Sequence, residues 1–213
     1  MKNFQEKISE VVIRRLTDYL RCLNYVKGEG QTLIKSSDIS IECGLKSSII
    51  RKDLSRFGII GMKGRGYDVD ELIKAIEKIL GLDKTKNVVL VGAGNLGTAI
   101  IKYQGIKNAN FDFVAVFDNN SDKIGKMIDK TKILSSEKLN NFIKENKIEI
   151  VLLTVPASET MKIVDSLDSK FVKGILNFTS IILPPKKNNI FIHNIDLAKE
   201  LEVVSYCMKN CLS

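Results

Sequence analysis

The chain has 213 residues, room for two modest domains. Hydrophobic residues make up 44% and charged residues 27%, an ordinary globular balance that excludes a disordered chain, and no apolar run reaches the roughly 18 residues needed to span a bilayer. The net charge of +8 admits an anionic partner, nucleic acid included, without requiring one.

Met1 to Glu10 is mixed and charged, unlike a secretory signal. Four cysteines (Cys22, Cys43, Cys207, Cys211) form no C-x-x-C pair, and there is one histidine. This predicts reduced thiols in a cytoplasmic protein and no structural metal. Cys207 and Cys211 stand at i,i+4, which leaves a thiol redox role open.

Ile8, Val12, Leu16, Leu20 and Leu23 recur at helical spacing, so residues 5–26 are expected to form an amphipathic helix, ended by Lys27-Gly-Glu-Gly30. A short second helix is expected from Ser37, as N-cap, to Gly44. A third follows from Ser47 to Phe57, with Ile50, Leu54 and Phe57 inward. Ser47, Ser48, Arg51, Lys52, Ser55 and Arg56 then face outward. A short helix, a glycine turn and a basic, hydroxyl-rich helix make a helix-turn-helix pattern.

The stretch from Gly58 to Val69 is expected to form two short strands around a glycine-rich tip carrying Lys63, Gly64 and Arg65. Glycines let backbone approach phosphates, and a cation suits the minor groove, so the tip has the chemistry of a wing. Between Gly44 and Tyr67 there are six basic residues and one acid, Asp53. A basic solvated helix in a small helical domain is the plainer alternative; helix, turn, basic helix and basic tip together favour double-stranded DNA. Asp70 is expected to cap a fourth helix ending at Gly81, and Leu82 to Lys86 to link to a second domain.

Asn87 to Val91 has the character of a buried strand and runs into Gly92-Ala-Gly-Asn-Leu-Gly97, a G-x-G-x-x-G turn, with a helix continuing from Thr98 to Tyr103. Strand before and helix after are the context that gives this motif meaning. Gly92 allows the tight turn, Gly94 lets a pyrophosphate meet backbone, and Gly97 lets helix and strand pack closely. Ala93, Asn95 and Leu96 complete the cradle, whose helix N-terminus offers free N–H groups to phosphate.

The next strand, Asp112 to Phe117, ends on Asp118, about 20 residues past the glycines, where an acid takes the adenosine ribose hydroxyls. A structural turn aspartate is the alternative. Asn119 and Asn120 follow, with no arginine for a 2′-phosphate, which favours NAD(H) over NADP(H). Strands are also expected at Glu149 to Val155 and Gly174 to Phe178. Thr154, Val155, Pro156, Asn177 and Phe178 therefore fall at strand C-termini, the ligand edge of a doubly wound sheet. Asn177 is a donor to the nicotinamide amide or a turn residue.

A small NAD-dependent dehydrogenase is the competing class, and it needs a positioned acid or base. His193 is expected to be a passive strand-end residue. Tyr103 and Lys107 spell the Y-x-x-x-K of short-chain dehydrogenases, but too soon after the glycine turn and with Gly105 between them. Little chain remains for a substrate domain, so no catalysis is expected.

Ile50-Arg-Lys-Asp-Leu-Ser55 with Phe57-Gly58, Gly64-x-Gly66-Tyr67, Val91-Gly-Ala-Gly-Asn-Leu-Gly97, Leu153-Thr-Val-Pro156, Gly174-Ile-Leu-Asn-Phe178 and Asn194-Ile-Asp196 together resemble the Rex redox-sensing transcriptional repressors over nearly the whole chain. The resemblance implies a winged-helix domain (1–84), a Rossmann-type NADH and NAD⁺ domain (85–195) and a domain-swapped C-terminal helix (196–213). It further implies a homodimer on palindromic operator DNA, released by NADH with NAD⁺ opposing. Arg51 and Lys52 match the family's recognition-helix pair; Arg21, Tyr103 and Asp196 match its switch residues, Tyr103 near the nicotinamide. Two departures stand out. Asn177-Phe-Thr-Ser180 replaces the usual Asn-Phe-Ala-Pro, and Arg56 replaces a common aromatic. Independently, Leu197, Leu201, Val204 and Met208 form an apolar stripe on a terminal helix, which needs packing from a partner subunit or from its own domain.

Overall fold

The computed structural model describes residues 8–211. The chain divides into two compact units, residues 1–84 and 85–213. Residues 5–7 of the expected first helix lie outside the described region.

The first unit opens with α1 (Glu10–Gly28), whose buried stripe is Val12, Leu16, Tyr19, Cys22, Leu23 and Val26. This corrects two expected positions: Ile8 precedes the helix and is exposed, and Leu20 is only partly buried. After β1 (Leu33–Ile34), α2 (Ser36–Cys43) starts one residue before the expected cap, with Lys35 N–H donating to Asp38 Oδ2 at 3.0 Å. Gly44 ends it in the left-handed region (φ 63°), as the glycine turn requires. Then follow α3 (Ser47–Arg56), β2 (Tyr67–Asp68) and α4 (Val69–Leu80).

Two further expectations are corrected. The stretch from Gly58 to Val69 does not pair with itself as two strands: β2 pairs antiparallel with β1, and the tip closes through one bridge, Met62 to Gly66. Beyond that bridge the chain before the tip forms no ladder, and β2 takes β1 as its partner. The cap of α4 is Asp68, which accepts from Glu71 N–H at 2.9 Å; Asp70 instead pairs with Lys27 at 2.7 Å.

The second unit is an eight-stranded sheet. In chain order it comprises β3 (Lys86–Val91), α5 (Asn95–Lys102), α6 (Gln104–Lys107), β4 (Phe111–Asp118), β5 (Met127–Ile128) and β6 (Thr131–Ser135). It continues with α7 (Leu139–Asn146), β7 (Ile150–Leu153), α8 (Ala157–Ser166), β8 (Gly174–Asn177), β9 (Lys186–Lys187), β10 (Ile190–Asn194) and α9 (Leu197–Cys211). The strand order is β5-β6-β4-β3-β7-β8-β10-β9; the six inner strands run parallel and the two edge strands antiparallel.

Alternate residues of β3 serve opposite faces. Val89 and Val91 pack with Leu139, Ile143 and Val164 from α7 and α8, while Val88 and Leu90 pack with Ile101 from α5. Both faces are therefore covered, the condition for buried parallel strands. The direction of winding reverses between β3 and β7, which makes their C-terminal ends the switch point where ligands bind in such sheets.

Candidate functional site

The first unit presents a cationic face. Ser48, Arg51, Lys52, Ser55 and Arg56 are exposed and Ser47 half-buried, while Ile50, Asp53 and Leu54 are buried. The one acid of α3 is thus removed from the surface. Asp53 accepts two bonds from Arg15 (2.7 and 2.8 Å) and one from Tyr19 (2.9 Å), joining α3 to α1. Burial alone pushes the Asp53 carboxyl up, but the bonds from Arg15 and Tyr19 outweigh it and hold it below the usual carboxylate range. Burial, with the Asp53 bond, raises the Tyr19 phenol.

Arg51 does not hang free: its Nη1 donates to Ser36 Oγ at 3.0 Å and Ser47 Oγ at 3.4 Å. A groove of about 590 Å³ separates this side chain from the tip and is lined by Lys35, Arg51, Ser55, Lys63, Gly64 and Tyr67 among others. The tip is held by Met62 N–H to Gly66 carbonyl (2.7 Å) and Gly66 N–H to Met62 carbonyl (3.0 Å), leaving Lys63 and Arg65 exposed. Gly66 (φ 91°) has no room for a side chain, since a Cβ would lie 2.2 Å from the Ile34 carbonyl oxygen. Sequence reasoning passed over Lys35 and Ser36. Their role depends on α2 lying beside α3, which no local pattern reports.

In the second unit the glycine turn leaves β3 at the switch point. At Gly92 (φ 108°) a Cβ would lie 2.8 Å from the Thr154 backbone, and at Gly97 2.2 Å from the Gly92 carbonyl oxygen. Both glycines serve the protein's own packing. Gly94 differs: a Cβ there meets nothing within 4 Å. A glycine that the fold does not demand, at the N-cap of α5, fits the close approach of a pyrophosphate to backbone. Asn95 and Leu96 follow on α5, with Leu96 exposed. Thr154 Oγ1 lies 2.8 Å from the Gly92 carbonyl oxygen and closes the cradle from β7, with Val155 half-buried and Pro156 exposed beside it.

Asp118 ends β4 and is 8% exposed. Its Oδ2 accepts from Ala93 N–H at 2.7 Å and its Oδ1 from Asn120 N–H at 2.8 Å. Burial pushes this carboxyl up, but those backbone bonds and Lys123 outweigh it and leave it below the usual range. Asn119 is exposed.

Asn177 is fully buried and does not offer its amide to a ligand. Its Nδ2 donates to the Ile181 carbonyl (2.7 Å) and to Asn194 Oδ1 (2.8 Å), and its Oδ1 accepts from the Thr179 N–H and hydroxyl. The turn role is the one realised, and Thr179 contributes its hydroxyl to it. Phe178 is half-buried.

Tyr103 sits between α5 and α6 with extended backbone and is 64% exposed, its ring against Gly105. The helix breaks at Tyr103 itself, so Tyr103 and Lys107 are not aligned on one helix. Asp196 Oδ1 accepts from Ala198 and Lys199 N–H (3.0 and 3.2 Å) and so caps α9. Among the described residues no hydrogen bond joins Tyr103 to Asp196, and Arg21 is exposed on α1. His193 lies in β10 and is half-buried. The stripe residues Leu197, Leu201, Val204 and Met208 of α9 are 53–70% exposed within the single chain. Cys207 is exposed; the Cys211 side chain lies outside the described region. Among the described residues no cluster of three or more metal-ligating groups occurs, and no helix is long and apolar enough to cross a membrane.

Residues 7–55 match a family described as putative DNA-binding protein N-terminus, and residues 83–181 one described as CoA binding domain. The redox-sensing transcriptional repressor Rex of Carboxydothermus hydrogenoformans is 42% identical, covering 97% of this chain and 98% of its own length. The chain belongs to the Rex family of redox-sensing transcriptional repressors. The Rex of Thermosipho africanus is 37% identical over 95% of the chain and 96% of its own. A Rex-family repressor, RSP, solved with β-NAD⁺ and operator DNA, superposes with a TM-score of 0.87 at 37% identity, covering 94% of this chain and 92% of RSP. RSP with β-NADH gives 0.82 at 36%, covering 95% and 94%. The Rex-family fold thus extends through both units.

Proposed function

We propose that this chain is a Rex-type repressor: a homodimer that binds double-stranded operator DNA through residues 1–84 and NADH or NAD⁺ through residues 85–195. NADH binding releases it from DNA. The observation that carries this reading is the pairing, in one chain, of an acid-free exposed face on α3 with a glycine cradle at the sheet's switch point. The relation to RSP, solved with both ligand classes, supports it.

In this reading Arg51 and Lys52 reach base edges, with Ser47, Ser48, Ser55 and Arg56 beside them, and Lys63 and Arg65 sit on the neighbouring backbone or minor groove. Gly94, Ala93 and the N-terminus of α5 take the pyrophosphate, and Asp118 takes the adenosine ribose. Thr154, Val155, Pro156 and Phe178 flank the nicotinamide end, with Tyr103 nearby; Asn177 supports that edge from beneath. Residues 196–213 form a swapped helix that buries its stripe on a partner subunit. Arg21, Tyr103 and Asp196 serve as the switch. Half-sites on one DNA face lie about one helical turn apart, so a modest subunit rotation breaks both contacts together.

The reading implies no catalysis and a cytoplasmic location. Operator binding measured with NADH, NAD⁺ and neither tests it: NADH is expected to weaken binding. Linkage requires operator to weaken NADH binding by the same factor. Equal operator affinity in all three conditions overturns the reading, and turnover of NADH with a carbonyl substrate would favour a dehydrogenase.

A further inference from the structure

Asp118 does not stand alone at the end of β4. The turn after it folds back and brings Lys123 Nζ to 3.3 Å from Asp118 Oδ2. The turn's own bonds hold it there. Lys123 N–H donates to the Asn120 carbonyl (3.1 Å), Asp122 N–H to Asn120 Oδ1 (2.8 Å) and Gly125 N–H to the Ile133 carbonyl (2.9 Å). The lysine side chain is 38% exposed and the aspartate 8%, so the ammonium keeps a solvent-facing side that the carboxylate lacks.

The hydrogen-bond count gives the lysine its weight. A carboxylate offers about four lone-pair directions. Ala93 N–H, Asn120 N–H and Lys123 take three of them, leaving one for a ribose hydroxyl. An ammonium has about three donor protons, so after the bond to Asp118 two can serve a ligand. The carboxylate and ammonium in contact also sum to zero charge, where a bare acid would repel a phosphate.

We propose that Lys123 is a specificity-determining residue of the nucleotide site. It donates to the adenosine ribose beside Asp118 and offsets the repulsion that Asp118 exerts on a 2′-phosphate. This rests on the dinucleotide reading of the glycine cradle. The preference for NADH over NADPH is therefore shallower than the Asp118 carboxylate alone would set, and Lys123 is the reason.

Titration of NADH and NADPH into the full-length chain, as wild type, Lys123→Met and Lys123→Arg, tests the proposal. Lys123→Met is expected to weaken NADH a few-fold, through the lost donor. It should weaken NADPH about tenfold more, equivalent to about 1.4 kcal/mol. That extra loss should shrink at high salt, because it is electrostatic, and Lys123→Arg should restore the wild-type ratio. Operator binding and thermal melting report whether each variant has folded; if Lys123→Met melts early, Lys123→Gln should show the same change in ratio. A variant that keeps NADH binding with an unchanged NADH to NADPH ratio overturns the role of Lys123 alone. A wild-type chain that binds neither nucleotide overturns the dinucleotide reading, and this proposal with it.

Discussion

In α3 the acid is buried against Arg15 and Tyr19 while the cations stay in solvent. At the ends of β4, β7 and β8 the candidate site's own side chains, Asp118, Thr154 and Asn177, are turned into the protein. The candidate DNA face is therefore made of side chains that fold stability does not need. The candidate nucleotide site is made largely of backbone, shaped by side chains already committed to the fold. Substitutions in the first region should separate function from stability; in the second, most should mix them, and Gly94 is the exception.

The largest effect is expected where the DNA face is supported from inside. Asp53→Ala leaves the half-buried Arg15 and the buried Tyr19 hydroxyl without their shared acceptor, and each polar group so orphaned costs about 1–3 kcal/mol. A urea melt of the variant checks this; stability within about 0.5 kcal/mol of wild type would show that the network is not what holds α3 to α1. Because the folded carboxyl of Asp53 is held below its ordinary value, its contribution is complete above the ordinary carboxylate range. It is lost as pH falls through the lower folded value. Acid titration of wild type should therefore show a loss that Asp53→Asn lacks.

Gly94→Val should abolish the NADH response and leave operator binding and melting temperature close to wild type, since a Cβ at this position meets nothing within 4 Å. Gly97→Ala, which meets the Gly92 carbonyl oxygen, should instead lose both stability and response. If both variants behave alike in melting and in NADH titration, the contrast drawn within the cradle is wrong.

Arg51→Ala and Lys52→Ala should melt normally and each weaken operator binding, by about 1–3 kcal/mol for a base contact. A phosphate contact would instead lower the salt slope by about one. Ser36→Ala should give a smaller version of the Arg51 effect by releasing the guanidinium. Normal operator affinity in both cation variants would remove α3 as the reader.

A modest stability effect is expected at Asp196→Ala, where loss of the α9 cap costs about 1 kcal/mol. Its informative readout is coupling. The ratio of operator affinities with and without NADH should fall towards one while each ligand alone still binds. Undiminished release by NADH would exclude Asp196 from the switch.

Much of this was legible in sequence because the deciding forces were local. Glycine in the left-handed region ends α2 at Gly44, alternation and apolar runs mark β3 and β4, and the G-x-G-x-x-G turn announces its own geometry between strand and helix. The misses share a different cause. The strand Thr131–Ser135 is short and carries Lys132, so it is defined by its pairing with β4 rather than by composition. The partner of β2 is β1, more than 30 residues away in sequence.

The sequence by itself determined the two-domain order, the exposed basic helix, the cradle with its acid at the end of the next strand, and membership of a repressor family. Each of these is written in short-range spacing, which fixes which residues share a face or a turn. Only the tertiary structure decided how polar groups were spent: Asp53 on Arg15 and Tyr19, Asn177 on Asn194 and Thr179, Asp118 on Ala93, Asn120 and Lys123. A buried polar group must find a partner wherever the fold brings one. No spacing rule says whether a carboxylate faces a ligand or its own chain.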